Sequence, residues 1–342
     1  MPQTEISVAT RVPASFFGVV LGLAGLSGAW RAAHAAWDVP EAIGETLFVV
    51  AAAAWAVIAA LYAMKWIRSP DAARAEAENP VQCCFIGLAG VSTLLIAQGA
   101  LPFSKDAAVV LFVIGVAFTL AFALWRTGLL WHGGRSPGST TPVLYLPMVA
   151  GGFVSGTVAA ALGWQEWGQL LFGAGFFAWL AIESVLLNRL YTGEPMTPAL
   201  RPTLGIQLAP PAVGAVSYLS VGPGTPDLLA HAMIGYALLQ AALLVRMARW
   251  IGEQPFSASY WAFTFGATAL ATATIRLSGP DGGGAIATVA PVAFLLANVL
   301  VLGVAAGSLR LLLRHKFLPP AAPTATQPSA ADANGSPSRG VA

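Results

Sequence analysis

Residues 107–130 read AAVVLFVIGVAFTLAFALWRTGLL, and up to Trp125 they carry no charge and a single hydroxyl, that of Thr119. Such a run is a membrane-spanning helix, because ~20 apolar residues rising 1.5 Å each cross a hydrocarbon layer of ~30 Å. Working outward, the pattern repeats at 13–35, 43–66, 81–101, 142–163, 168–189, 203–221, 228–249, 257–277 and 286–312. Short polar or Pro/Gly-marked connections separate the runs, among them 68–79, 133–141, 192–202 and 278–284. The sequence therefore predicts an all-α polytopic membrane protein of ten transmembrane helices, arranged as five helical hairpins. Long continuous runs exclude a transmembrane β-barrel, whose strands alternate over ~10 residues. The first run carries Arg31 and His34 where a leader would be cleaved, so it reads as a retained span.

Composition agrees. Of 342 residues, 57% are hydrophobic and 9% charged, against roughly a quarter charged in soluble domains. Ten spans leave no length for a folded nucleotide-hydrolysing or sensory domain. A net charge of +2 gives no reason to expect nucleic acid. The distribution is more telling: of the 17 Lys and Arg, only Arg31, Lys105 and Arg276 fall on one side of the predicted topology. The positive-inside rule then puts both termini in the cytoplasm. Residues 1–12 form a cytoplasmic segment, 13–316 the membrane domain, and 317–342, rich in Pro, Ala, Ser and Thr, a disordered cytoplasmic tail. Most tryptophans, Trp261 included, sit near span ends as an interfacial belt; Trp55 and Trp179 are deep. Cys83 and Cys84 are adjacent, a spacing that supports neither a disulfide framework nor a zinc site.

The spans hold few chemical groups. Glu183 is the one carboxylate set well inside a run, where a charge costs ~2.5–3.5 kcal/mol at a helix centre. It reads either as a proton-coupling group or as a structural tie needing a serine, arginine or backbone partner; the lack of a second intramembrane charge favours the tie. His34, His132, His231 and His315 are scattered without ligand spacing, so no metal is expected, and no phosphate-binding loop or nucleophile motif points to an enzyme or a cofactor. Helix breakers fall in odd-numbered runs: Gly18, Gly22, Gly25 and Gly28 in the first, Pro147 in the fifth, Pro210 and Pro211 in the seventh. Freed backbone groups are tolerated in lipid only against protein or a watery lumen, so odd helices around a central pore with even helices outside is the economical arrangement; close packing of small residues is the alternative. Phe265, beside Gly266, is either packing or the plug of an apolar constriction.

Pro13-Ala14-Ser15-Phe16-Phe17-Gly18, Tyr145-Leu146-Pro147, Gly173-Ala174-Gly175 with Trp179 and Glu183, Leu204-Gly205-Ile206 with Leu208-Ala209-Pro210, and Trp261-Ala262-Phe263-Thr264-Phe265-Gly266 together resemble the TehA tellurite-resistance and dicarboxylate transporter family. That family includes bacterial homologues of the plant slow-type anion channel. The resemblance, over about 11–316, implies a homotrimer whose protomers each carry a pore lined by the odd helices and gated by a phenylalanine matching Phe265, with Phe85 as a second aromatic. Gln82, Gly152 and Ser184 depart from the family pattern. The expected function is a gated passive channel for small monovalent anions such as chloride and nitrate. The alternative is a proton-coupled carrier, using Glu183, for C4-dicarboxylates or tellurite.

Overall fold

The computed structural model describes residues 11–223, 227–278 and 284–318. Among them, ten long helical segments follow one another: α1 Ala14–Trp37, α2 Glu41–Arg68, α3 Gln82–Ala100, α4 Lys105–Trp131, α5 Pro142–Ala161, α6 Gln165–Thr192, α7 Pro198–Val221, α8 Leu228–Ile251, α9 Ala258–Phe263 continuing through Thr264–Ser278, and α10 Gly284–Leu313. No strand occurs among the described residues. All but α9 are long and apolar enough to cross a membrane. α9 is the more polar one, with Thr264, Thr268, Thr272 and Thr274, each hydroxyl donating to a carbonyl of its own helix.

Two kinds of helix alternate. The even-numbered helices are continuous α-helix and bury little of themselves, 17–33% of their most apolar stretch. Their outer faces carry exposed Val49, Leu124, Phe177, Val245 and Leu295, as a lipid-facing surface requires. The odd helices α1, α3, α5 and α7 bury 50–78% of theirs, and α1, α3, α5, α7 and α9 pack side by side into a closed ring. Each even helix packs on the odd helix before it, which forms the five hairpins.

Every odd helix is also broken near its basic end. Tight 3₁₀ turns at Ala14–Phe16, Gln82–Gly87, Pro142–Tyr145, Pro198–Leu208 and Ala258–Phe263 precede the α-helical portions. In α5 a wide π turn, Leu146–Ala150, follows around Pro147. Proline removes a backbone donor and crowds the preceding turn, so Pro147 and Pro210 account for the breaks in α5 and α7. Proline is not the whole cause: α1, α3 and α9 change pitch without one, and α10 stays helical through Pro291.

Glycine sets the spacing of the ring. A methyl at Gly22 would strike the Thr264 hydroxyl and the Trp261 ring, and one at Gly266 would lie 2.9 Å from the backbone nitrogen of Ala209. α9 therefore wedges between α1 and α7 only because both contacts lack a Cβ.

Two expectations change. The connection 68–79 contains a helix, Pro70–Glu78; Glu76 there pairs with the buried Lys65 at 2.7 Å and accepts from the Ala14 nitrogen at 2.8 Å, tying this helix to the start of α1. Trp261 does not face lipid as a belt residue would: it is buried and donates to Ser308 Oγ at 2.9 Å, which joins α9 to α10. Cys83 and Cys84 are free and buried. The segment 1–10, the turn 279–283 and the tail 319–342 lie outside the described residues.

Candidate functional site

The ring encloses two cavities separated by one side chain. On the basic side, a cavity of about 120 Å3 is walled by all five odd helices, through Gly18, Phe85, Leu146, Ile206 and Phe265 among others. Beyond it, a cavity of about 70 Å3 is walled by Gly25, Leu95, Val154, Val213 and Phe265, again from all five. Phe265 alone borders both. It stands one residue past the 3₁₀-to-α break of α9, its ring opposite Gly25 of α1. The missing Cβ at Gly25 makes room for the ring.

The second cavity shares Ala24, Gly28, Leu95, Gln98, Val216 and Thr272 with a larger one of about 620 Å3 at the far end. The lumen therefore widens away from the basic side. Two arginines line the wide end. Arg31 is neutralised by Glu45 through two 2.8 Å contacts and also donates to the Gly99 carbonyl at 3.0 Å. Arg276 donates to Ser220 Oγ at 2.9 Å and the Val216 carbonyl at 3.3 Å, and no carboxylate lies within ion-pair distance of it among the described residues. Of the two, only Arg276 is left without a carboxylate partner among the described residues.

Past that mouth the lumen holds no Lys or Arg among the described residues. Its polar lining is amide and hydroxyl: Ser15, Gln82, Thr203 and Ser259 on one side of Phe265, Gln98, Thr157 and Thr272 on the other. The threonine hydroxyls spend their single donor on their own helices: Thr157 to Phe153, Thr203 to Leu200, Thr272 to Thr268. Gln98 makes no side-chain hydrogen bond among the described residues, which leaves its two amide donors for whatever occupies the lumen. Sequence reasoning passed over Gln98; its position three turns from the break of α3, on the stripe shared with Leu95, was the only available signal.

Glu183 lies elsewhere. It borders none of these cavities and is buried among α5, α6, α7 and α8. Tyr145 Oη and Trp179 Nε1 donate to its Oε2 at 2.5 and 2.8 Å, and Tyr236 Oη and Gln207 Nε2 to its Oε1 at 2.6 and 2.9 Å. Its partners are neither serine nor arginine nor backbone: they are neutral side-chain donors matched to a carboxylate that only accepts. Tyr145 precedes Leu146, and Gln207 follows Ile206, both of which wall the basic-side cavity. The cluster thus pins the broken portions of α5 and α7 from behind. The prolines sit behind the lumen too: Pro147 faces a groove toward α4 and α6, and Pro210 is buried. They shape the lumen without lining it, whereas Gly18 and Phe85 do line it.

The ring of broken helices thus encloses a passage with no charged side chain beside its narrowest part among the described residues and one aromatic across it. The sequence model of the voltage-dependent anion channel family, SLAC1, matches residues 11–309. The chain belongs to this family. It is 36% identical over 291 residues to a tellurite resistance protein TehA homolog of Haemophilus influenzae, covering 85% of this chain and 88% of that one. It is 29% identical over 275 residues to the S-type anion channel SLAH3 of Arabidopsis thaliana, covering 78% of this chain and 43% of the plant protein. The guard cell S-type anion channel SLAC1 of the same plant is 24% identical over 277 residues, half its length. The family match runs from the start of α1 into α10, and the plant chains extend well beyond the part matched. Members of the family are channels and transporters, and anions are their substrate class.

Proposed function

We propose that the protein is a gated passive channel for small monovalent anions, of which chloride and nitrate are examples, with the Phe265 ring as the obstruction. The observation that carries this reading is that Phe265 alone borders the cavities on both sides of the constriction. The absence of Lys and Arg from the two cavities that flank Phe265, among the described residues, supports it as well, since conduction needs sites weak enough to release the ion. Arg276 at the wide mouth, which no carboxylate pairs among the described residues, raises local anion concentration without trapping ions at the constriction. The amide of Gln98 solvates the ion just beyond the ring, and Phe85 borders the approach from the basic side.

In this reading all ten helices cross the inner membrane as one domain, 13–316, with both termini and the basic face in the cytoplasm, and three copies associate with a separate pore in each. A carrier driven by protons through Glu183 finds no support in the geometry, because that carboxylate faces no lumen and is matched by donors on every side. The test is anion current in voltage-clamped membranes holding the wild type or Phe265→Ala, with chloride and nitrate alternated. A large current in the variant, reversing near the anion equilibrium potential, is the expected result. If neither conducts while acidified proteoliposomes accumulate malate and Glu183→Gln stops it, the carrier replaces the channel.

A further inference from the structure

A short polar helix outside the ring, Pro70–Glu78, is bonded to the pore wall at two points. Proline occupies its first turn, where the missing N–H would have no helical partner anyway. Its inward stripe is Ala73, Glu76 and Ala77, spaced i, i+3 and i+4 on one helix face, while Asp71, Ala72, Arg74, Ala75 and Glu78 are exposed. Two alanine methyls bury little apolar area. Polar contacts, and not packing, therefore fix where this helix sits.

Glu76 makes the first set of contacts. Its Oε2 accepts from Lys65 Nζ at 2.7 Å and its Oε1 from the Ala14 nitrogen at 2.8 Å, and Lys65 Nζ also reaches the Val12 carbonyl at 3.3 Å. The Lys65 and Glu76 side chains are 6% and 8% exposed, and a buried charge that loses its partner is strongly disfavoured. The Ala14 N–H opens α1, where helix geometry leaves it without an intrahelical acceptor. The next residue, Ser15, walls the basic-side cavity. Just past the helix, Asn79 holds the start of α3: its Oδ1 accepts from the nitrogens of Val81 and Gln82 at 3.0 and 2.9 Å, and its carbonyl from that of Cys83 at 3.1 Å. Val81, Gln82 and Phe85 wall the same cavity.

We infer that Pro70–Glu78 is a coupling helix whose position, transmitted through Glu76 and Asn79, sets how α1 and α3 wall the basic-side cavity. Glu76 is the positioning residue. Its withdrawal strands the buried Lys65 cation and the Ala14 donor together, so the helix is either docked or released, with little stable ground between. The consequence for conduction rests on the proposed channel, whereas the coupling itself rests on these contacts alone.

Thiol labelling of the full chain in detergent tests it. Chains carrying Ser15→Cys are treated with a charged methanethiosulfonate, and the chain without that substitution gives the blank for the buried Cys83 and Cys84. Glu76→Ala is expected to raise the labelling rate at position 15 by roughly fivefold or more, through local opening of the first turn of α1. Glu76→Asp keeps a charge for Lys65 but is one methylene too short to hold Ala14 as well, and is expected to raise it roughly twofold. Glu78→Ala, on the exposed face, leaves the rate unchanged. In a Phe265→Ala background the nitrate-to-chloride permeability ratio, read from reversal potentials and independent of how many channels fold, shifts in Glu76→Ala and not in Glu78→Ala. If Glu76→Ala fails to fold, Glu76→Asp decides by the same readouts. Labelling at the wild-type rate in the folded Glu76 variants, or an equal rise in Glu78→Ala, overturns the inference. A labelling rise with no current from any chain upholds the coupling and sinks the channel reading instead. Current in Phe265→Ala with labelling and permeability ratio both unmoved by the Glu76 variants does the reverse.

Discussion

At Phe265 the physical variable is ring volume, because the residue carries no charge and its neighbours across the lumen are Gly25 and aliphatic side chains. At Gln98 the variable is charge. With the lumen opened by Phe265→Ala, Gln98→Leu removes the free amide donors and is expected to lower chloride current several-fold. Gln98→Glu sets a carboxylate in a narrow apolar passage, where like charges 4 Å apart repel by about 4 kcal/mol at an effective dielectric of 20; chloride current then falls at least tenfold. Unchanged current in both variants places the ion path away from α3. Glu183 predicts stability, not transport rate. Glu183→Gln turns an acceptor into a donor facing Trp179 and Tyr145, stranding buried donors at ~1–3 kcal/mol each, so thermal unfolding in detergent is expected several degrees below the wild type. A variant as stable as wild type that also loses proton-linked flux contradicts the structural role. Glu183 itself was legible in the sequence as an intramembrane carboxylate, but its partners were not, since Tyr145, Gln207 and Tyr236 come from three other helices and no local spacing announces them.

Among the elements, the contrast that matters is between continuous and broken helices. Apolar run length located the ten long helices within a few residues, because a bilayer imposes its thickness directly on the chain, but not the short polar helix Pro70–Glu78. Proline and glycine pointed to α1, α5 and α7 as the broken ones, and the structure adds α3 and α9, whose pitch changes arise from packing in the ring and have no sequence signature. The even helix α10 shows the converse, a proline without a break. Glycines in α1 differ in what they do although their spacing makes them look alike. Gly22 touches Thr264 and Trp261, while nothing lies within 4 Å of a Cβ added at Gly28. Gly22→Val is therefore expected to destabilise by ~1–3 kcal/mol through overpacking, and Gly28→Ala to leave the unfolding midpoint within a degree or two. Thermal denaturation of the two variants side by side checks this, and equal midpoints would show that α1 and α9 are not held apart by that contact.

For the whole molecule, the five odd helices close on one another within a single chain, so a pore needs no second copy to complete its wall. The hairpin repeat explains why so much of this was readable in advance: alternating lipid-facing and ring-facing helices differ in burial, and small residues and helix breakers collect on the buried ones. What no sequence pattern gave is the depth of the constriction, which depends on five breaks lying at one level with Phe265 just past the last. The most direct test of a passive pore closed by that ring is a graded series, Phe265→Leu, Phe265→Val and Phe265→Ala, measured as chloride current under voltage clamp at equal surface expression. The account predicts current rising in that order as the side chain shrinks, each variant reversing at the chloride equilibrium potential. Currents that stay at the wild-type level through the series, or that fail to follow the chloride gradient, would contradict it.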